Sequence, residues 1–115
     1  MTIALTLPYP PSVNRYWRNV RGIVVASREA KDYRMLARFR ATQQGVGEPL
    51  MQPVTVTVHV YRPRKAGDLD NSLKALFDAL IGIAYVDDKQ VVEIHAYRHD
   101  DARNPRVEIS ITEVT

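Results

Sequence analysis

The chain has 115 residues, 25% of them charged, and a net charge of +3, which fits one soluble globular domain over residues 1–115. It contains no cysteine, which excludes disulfides, thiolate zinc sites and cysteine nucleophiles. No apolar run reaches membrane-span length and no secretory signal opens the chain, so we expect an intracellular protein in the cytoplasm. The excess of arginine favours a polyanionic partner, because guanidinium groups match phosphate geometry.

The N-terminal half predicts a strand, a hairpin and a helix. Residues 3–7 alternate apolar and small or polar side chains, which indicates a half-buried strand that the following prolines end. A small hairpin is predicted around Arg21 and Gly22. Ser27 can cap a helix that runs to about Gln44. The residues expected on one side of this helix are Tyr33, Leu36, Ala37 and Arg40, and those of a basic stripe are Lys31, Arg34 and Arg38.

The C-terminal half predicts a strand, a second helix and two further strands. The segment VTVTVHVY alternates over residues 54–61, and an apolar stripe at helical spacing predicts a helix over residues 69–81 that stops at Gly82. The segments QVVEIHAYR and RVEISIT alternate, with a turn over residues 99–105, so we expect them to pair as a hairpin. The order predicts an α+β fold with two helices on one face of a mostly four-stranded mixed sheet.

The segment GDLDNSLK at residues 67–74 has two interpretations. Asp68 can cap the second helix, while Asp70, Lys74 and Asp78 have the spacing of a surface salt-bridge ladder. Alternatively, the chain is extended through Asp68 and becomes helical at Asp70, so that both carboxylates reach one point. Magnesium prefers oxygen ligands of this kind.

A second acidic pair, Asp87 and Asp88, follows the helix. If residues 82–87 are extended, they span about 20 Å, which is also the length of a 13-residue helix. The chain can then return Asp88 to Asp70; otherwise a partner subunit completes the site. The nearby cations Arg64 and Lys74 fit metal-assisted cleavage of a phosphodiester, so we favour the metal site over the ladder.

Three motifs make the chain resemble the RusA-type Holliday junction resolvases: PPSVNRYW, GDLDNSLKALFDAL and YVDDKQVV. They occur in the order and spacing of the family, and the combination of DLDN-x-x-K with DD-x-QVV is its specific part. The resemblance implies a magnesium-dependent endonuclease, with manganese as a substitute metal. It also implies a homodimer that nicks four-way DNA junctions.

The resemblance assigns roles by position. The catalytic residues that it implies are Asp68, Asp70, Lys74 and Asp88. The implied metal ligands are these three aspartates and the companion acid Asp87. Gly67 departs from the family, because a basic residue can precede the motif in relatives. With the basic stripe and the cations before the acidic loop, the expected DNA-binding residues are Asn14, Arg15, Lys31, Arg34, Arg38, Arg62, Arg64, Lys65 and Asn71.

Other polar clusters carry weaker signals. His59 and His95 are expected on the solvent side of strands and His99 in a turn, which does not make a zinc site. Tyr16 and Trp17 could stack on bases at a branch point, but we expect Trp17 to pack against the sheet.

We therefore expect a magnesium-dependent, structure-selective DNA endonuclease that resolves four-way junctions by paired nicks, binds as a homodimer and is nucleoid-associated when on DNA. One alternative is a nucleic-acid-binding module without catalysis, in which the aspartates only cap and pair. Another is a flap or fork nuclease that uses the same metal site.

Overall fold

Four strands form one mixed sheet, and two long helices pack on one of its faces. The structure is a computed structural model that describes residues 1–65 and 69–114, without the side chains of residues 13 and 14. In sheet order the strands are β1 (Thr2–Pro8), β6 (Arg106–Glu113), β4 (Val54–Arg62) and β5 (Val91–Asp100). β6 lies antiparallel between β1 and β4, whereas β5 is parallel to β4. The predicted α+β class is confirmed.

The core lies between the sheet and the helices α2 (Arg28–Gln43) and α3 (Leu69–Ala79). Alternate residues of β1, β4 and β6 are buried on this side, as the period of two predicts. Leu76 and Leu80 fill the space under α3, each contributing about 1.5–3 kcal/mol of burial. None of the helices within the described residues is long and apolar enough to cross a membrane.

Both long helices form where the sequence predicts them, although the buried face of α2 and the C-terminal end of α3 differ in detail from the prediction. The hydroxyl oxygen of Ser27 accepts a hydrogen bond from the Ala30 N–H at 3.1 Å, as expected of the α2 cap. Of the residues predicted to share one side of α2, Tyr33 and Ala37 are buried and Leu36 and Arg40 are exposed, and the buried face consists of Ala30, Tyr33, Ala37 and Ala41. α3 ends two residues early, at Ala79, and Gly82 has a φ of 81°.

The predicted hairpin between the last two strands is wrong. β4 lies between β5 and β6, and residues 101–105 carry the chain past the end of β4. β6 supplies three buried apolar residues to the centre of the sheet, whereas β5 is an edge strand with mostly exposed side chains. Local alternation cannot distinguish a neighbour from a strand one position away. His99 accordingly lies in β5 rather than in a turn, and its Nε2 is 2.9 Å from Nδ1 of His59.

A separate two-stranded arm precedes α2. It consists of β2 (Trp17–Val20) and β3 (Ile23–Ala26) and confirms the predicted hairpin. Arg21 and Gly22 have φ values of 53° and 80°, as a two-residue type I′ turn requires. Every strand residue of the arm is exposed except Ala26, which is half-buried.

Trp17 does not pack against the four-stranded sheet as expected. Its side chain is 40% exposed, and its ring lies edge-on to Tyr16 with the centroids 5.1 Å apart. Tyr16, in the short helix α1 (Val13–Tyr16), is fully buried instead, so it cannot stack on bases.

Candidate active site

The first turns of α3 present an exposed acid and an exposed base. Asp70 lies in the first turn and Lys74 one turn later on the same face. Opposite them, the helix buries its apolar stripe, so packing fixes the direction in which both polar side chains project. The backbone N–H of Asn71 donates to Oδ1 of Asp70 at 3.0 Å, which leaves Oδ2 free of bonds from the described residues.

Neither Asp70 nor Lys74 has an ion-pair partner among residues 1–65 and 69–114. The salt-bridge ladder through Lys74 is therefore absent from this part of the chain, because Asp78 bonds elsewhere. Its Oδ2 accepts hydrogen bonds from the Tyr16 hydroxyl at 2.5 Å and from Nε of Arg34 at 3.1 Å. These bonds connect α1, α2 and α3.

The second acidic pair follows a compact turn rather than an extended segment. The Gly82 N–H donates to the Tyr85 carbonyl at 2.7 Å, and the Tyr85 hydroxyl donates to the Phe77 carbonyl at 2.6 Å. Tyr85 is fully buried, so residues 82–85 fold back onto the end of α3. The extended return over residues 82–87, which the sequence allowed, does not occur.

The two acids of the second pair differ in environment. Oδ1 of Asp87 accepts a hydrogen bond from the Lys89 N–H at 2.9 Å, and Oε1 of Gln90 accepts one from the Asp87 N–H at 2.9 Å. Together these bonds form a capping box for the 3₁₀ turn Asp88–Gln90. The bond from Lys89 lowers the pKa of Asp87. Partial burial raises the pKa of Asp88, and the neighbouring Asp87 and Asp78 raise it further. Asp88 is therefore the acid whose negative charge lacks compensation.

The donor chemistry of Asp70 and Asp88 fits a hard divalent cation. Both are exposed carboxylates without a cationic partner in the described ranges, and the raised pKa of Asp88 reflects a cost that a bound cation would offset. No group of three acidic or histidine side chains lies together within residues 1–65 and 69–114. The predicted ligand Asp68, like residues 66 and 67, lies outside the described residues.

The predicted DNA-binding cations divide into a set paired with carboxylates and an exposed set. Arg62 is 8% exposed and its Nε donates to Asp100 at 2.7 Å. Arg34 is half-buried and is bonded to Asp78. The exposed set consists of Arg15, Lys31, Arg38, Arg64 and Lys65. Asn14 lies in α1, but its side chain is outside the structural description.

A groove of about 710 Å³ joins several of these residues. Its walls include Arg15, Arg64 and Asn71, together with the proline-rich segment after β1. The Tyr9 hydroxyl lies 3.3 Å from the Ser72 hydroxyl and so connects this segment to α3. The groove thus places two exposed arginines beside the N-terminal end of α3, together with the carboxylates of Glu29, which pairs with Arg15 at 3.7 Å, and Asp32.

Sequence reasoning missed the residues that hold this site together. Gln90 bonds the Val86 and Asp87 N–H groups and the Leu50 and Gln52 carbonyls, and it has no signal in the sequence beyond its place after the acidic pair. Tyr16, which the sequence suggested only as a residue that could stack on bases, is buried and bonded to Asp78, and no pattern in the surrounding sequence indicates this position.

Comparison with known sequences identifies the family. The family model described as endodeoxyribonuclease RusA matches residues 8–112. The chain is 38% identical to the crossover junction endodeoxyribonuclease RusA of Escherichia coli strain K12, over 98% of this chain and 96% of that relative. The same coverage holds for the rusA nuclease of Enterobacteria phage 82, at 38% identity, and for the RusA protein of Shigella sonnei strain Ss046, at 37%. The chain belongs to the RusA endodeoxyribonuclease family.

Proposed function

We propose that this protein is a magnesium-dependent endonuclease that resolves four-way DNA junctions by paired nicks in the cytoplasm. The observation that carries the proposal is the exposed acid and base on α3, Asp70 and Lys74, which have no ion-pair partner in the described residues. Relatives that share 37–38% identity over nearly the whole chain are crossover junction nucleases, which supports the same substrate class.

The acidic residues would hold the metal. We assign Asp68, Asp70 and Asp88 as its ligands, with magnesium as the working ion and manganese as a substitute. When bound, such an ion polarises a phosphoryl oxygen and lowers the pKa of a water ligand. Asp87 acts through its neighbour: its carboxylate caps the 3₁₀ turn and so positions Asp88.

The cations would bind and orient the DNA. Lys74 stabilises the charge that develops on the scissile phosphate, since it lies one helical turn from Asp70. Arg64 and Arg15 contact flanking phosphates along the groove, and Asn71 lies in the same wall. The exposed Lys65, next to Arg64 in the chain, adds a further positive charge. Lys31 and Arg38 extend this positive surface along α2. Such contacts position the duplex without reading its sequence.

The reaction favours a symmetric homodimer. A four-way junction has two-fold symmetry, and its resolution requires nicks in two opposed strands. A dimer with two-fold symmetry presents two equivalent sites to those strands.

A nicking assay on several DNA substrates tests the proposal. The wild-type protein is incubated with a four-way junction, a flap and a linear duplex in magnesium, in manganese and in EDTA. We expect paired nicks in the junction with either metal, much slower cleavage of the other substrates, and no cleavage in EDTA. Asp70→Asn is expected to bind the junction without cutting it.

Two outcomes contradict the proposal. Faster cleavage of the flap than of the junction would make the protein a flap or fork nuclease. Junction binding by the wild-type protein, without cleavage in either metal, would leave a nucleic-acid-binding module.

A further inference from the structure

The β2–β3 arm exposes apolar side chains on both of its faces. Val20, Ile23 and Val24 are 42%, 66% and 66% exposed. An isolated two-stranded hairpin is marginal in water, and a cluster of exposed apolar residues marks a binding surface. The arm therefore requires a partner that covers its apolar side chains.

The charges of the arm favour a polyanionic partner. Residues 17–26 contain two arginines, Arg18 and Arg21, and no carboxylate. Arg18 and Arg21 are exposed, and neither has an ion pair with any residue that the structure describes. Phosphates next to base faces suit guanidinium groups beside apolar side chains, because the planar guanidinium donates to phosphate oxygens in pairs.

The base of the arm lies beside α3 and the groove. Tyr16, which directly precedes β2, is bonded to Asp78 at the C-terminal end of α3. Arg15, which precedes Tyr16, is in the wall of the groove that also contains Arg64 and Asn71. Four-residue strands extend about 13 Å. A nucleic acid that occupies the groove is therefore within reach of the arm.

The tip of the arm has a fixed shape. Oδ1 of Asn19 accepts the Gly22 N–H at 3.0 Å, which supports the turn that carries Arg21. Val20 and Ile23 are directly opposite each other beside this turn. A preorganised tip loses little conformational entropy on binding.

We propose that the arm binds branched DNA, with Val20 and Ile23 against base faces at the branch point and Arg18 and Arg21 against the adjacent phosphates. This inference rests on the proposed function. Apolar side chains that enter a base step of linear DNA must first unstack it, at a cost of a few kcal/mol. A branch point already interrupts the stack, so the arm favours junctions over linear duplex.

The charge of the tip can be removed without loss of the turn. Arg21→Asn creates Asn-Gly, the preferred type I′ sequence, so the hairpin is retained. We expect the slope of log K against log salt to fall in magnitude by about 0.9 on a four-way junction, the value of one phosphate contact. Binding is measured by fluorescence anisotropy in EDTA. The matched control is Arg40→Gln, in the last turn of α2, which is expected to keep the wild-type slope.

The apolar contact is tested by a second variant. Val20→Thr with Ile23→Thr keeps β-branched side chains but replaces one alkyl branch of each with a polar hydroxyl and so reduces the apolar surface. We expect junction affinity to fall about tenfold, or ~1.4 kcal/mol, and linear duplex affinity to change less. The fluorescence change of 2-aminopurine placed at the branch point is expected to shrink in parallel.

Several results would overturn the inference. An unchanged salt slope in Arg21→Asn, or an unchanged junction preference in the double threonine variant, removes the arm from the DNA interface. A smaller molar mass of the threonine variant by light scattering would instead assign the arm to contacts between copies of the chain. If the wild-type protein binds junctions without cutting them, the proposed nuclease fails while the arm inference stands. If it cuts, and the arm variants bind as it does, only the arm inference fails.

Discussion

The two ends of α3 carry the same residue type in opposite environments. Asp70, at the N-terminal end, is exposed and forms no ion pair within the described chain. Asp78, two turns later, is half-buried and bonds both Tyr16 and Arg34. The residues are about 12 Å apart along the helix axis. One helix thus separates an acid available to a metal from an acid that connects three helices.

The difference shows why exposure and partners, rather than residue type, identify a candidate catalytic acid. The negative charge of a carboxylate strengthens its hydrogen bonds to an arginine and a tyrosine, and these bonds stabilise the folded protein. A carboxylate with no such partner contributes little to stability and is available to bind a cation or a substrate. The matched substitution at the two positions tests this division.

Asp70→Asn gives the largest expected effect. Removal of a metal ligand costs several kcal/mol of transition-state stabilisation, so we expect the rate of junction nicking to fall at least ~100-fold. The temperature of unfolding without metal is expected to stay near the wild-type value, because the side chain is exposed. Single-turnover nicking and thermal unfolding are the measurements. A fully active Asp70→Asn protein would remove Asp70 from the metal site.

Asp78→Asn is expected to show the reverse pattern. The substitution removes the charge that pairs with Arg34, and we expect a loss of about 1–2 kcal/mol in the free energy of unfolding, since the pair is only partly exposed to solvent. Nicking by the folded protein is expected to remain within a few fold of wild type. Urea denaturation and the same nicking assay measure the two effects. Loss of nicking at unchanged stability would place Asp78 in the site instead.

Local periodicity predicted the elements well and their partners poorly. The alternation of β4 and the apolar stripe of α3 are fixed by residues two to four positions apart, so both follow from the sequence. β5 lies at the edge because the central β4 pairs with β5 on one side and with β6 on the other. The predicted hairpin, in which β5 and β6 pair with each other, is therefore wrong. Pairing across a sheet is a nonlocal choice that alternation does not encode.

The same limit applies to the charged residues. The spacing of Lys74 and Asp78 predicted a ladder within α3, but Asp78 bonds Arg34, 44 positions away in the chain. Arg62 was expected on the DNA surface and is buried against Asp100. The acidic residues named as a metal site came from motif spacing, and their shared role stays a prediction.

Tyr16 gives the Asp78 end of the helix a dependence on alkaline pH. Burial, followed by the hydrogen bond to Asp78, raises the pKa of Tyr16 to about 12. The pKa of Tyr16 in the folded state lies above the unfolded value near 10. The protonated Tyr16 hydroxyl therefore makes its full contribution to the free energy of unfolding below about pH 10, and this contribution is lost as the pH rises toward 12.

Tyr16→Phe is therefore expected to reduce the loss of stability between pH 10 and 12 by up to about 2 kcal/mol. Part of the loss will remain, because burial also raises the pKa values of Tyr33 and Tyr85. At pH 7 the variant is expected to lose about 1 kcal/mol with its hydrogen bond. Urea denaturation across this pH range is the measurement. An unchanged slope would show that Tyr16 keeps its proton equally in both states.

The smallest expected effect on nicking is that of Asp87→Asn, because Asp87 caps the 3₁₀ turn whereas Asp88 is the proposed metal ligand. Asp87→Asn keeps a good N-cap, so both stability and nicking are expected to stay near wild type. Asp87→Ala removes the cap and is expected to lower the temperature of unfolding slightly. Asp88→Asn is the contrasting variant and is expected to lose nicking. Its stability is expected to be unchanged or slightly higher, because the raised pKa of Asp88 means that the charge of Asp88 opposes folding at neutral pH. Nicking rates of the three folded variants decide the assignment. An inactive Asp87→Asn protein would make Asp87 a ligand in its own right, since asparagine preserves the cap and removes only the charge.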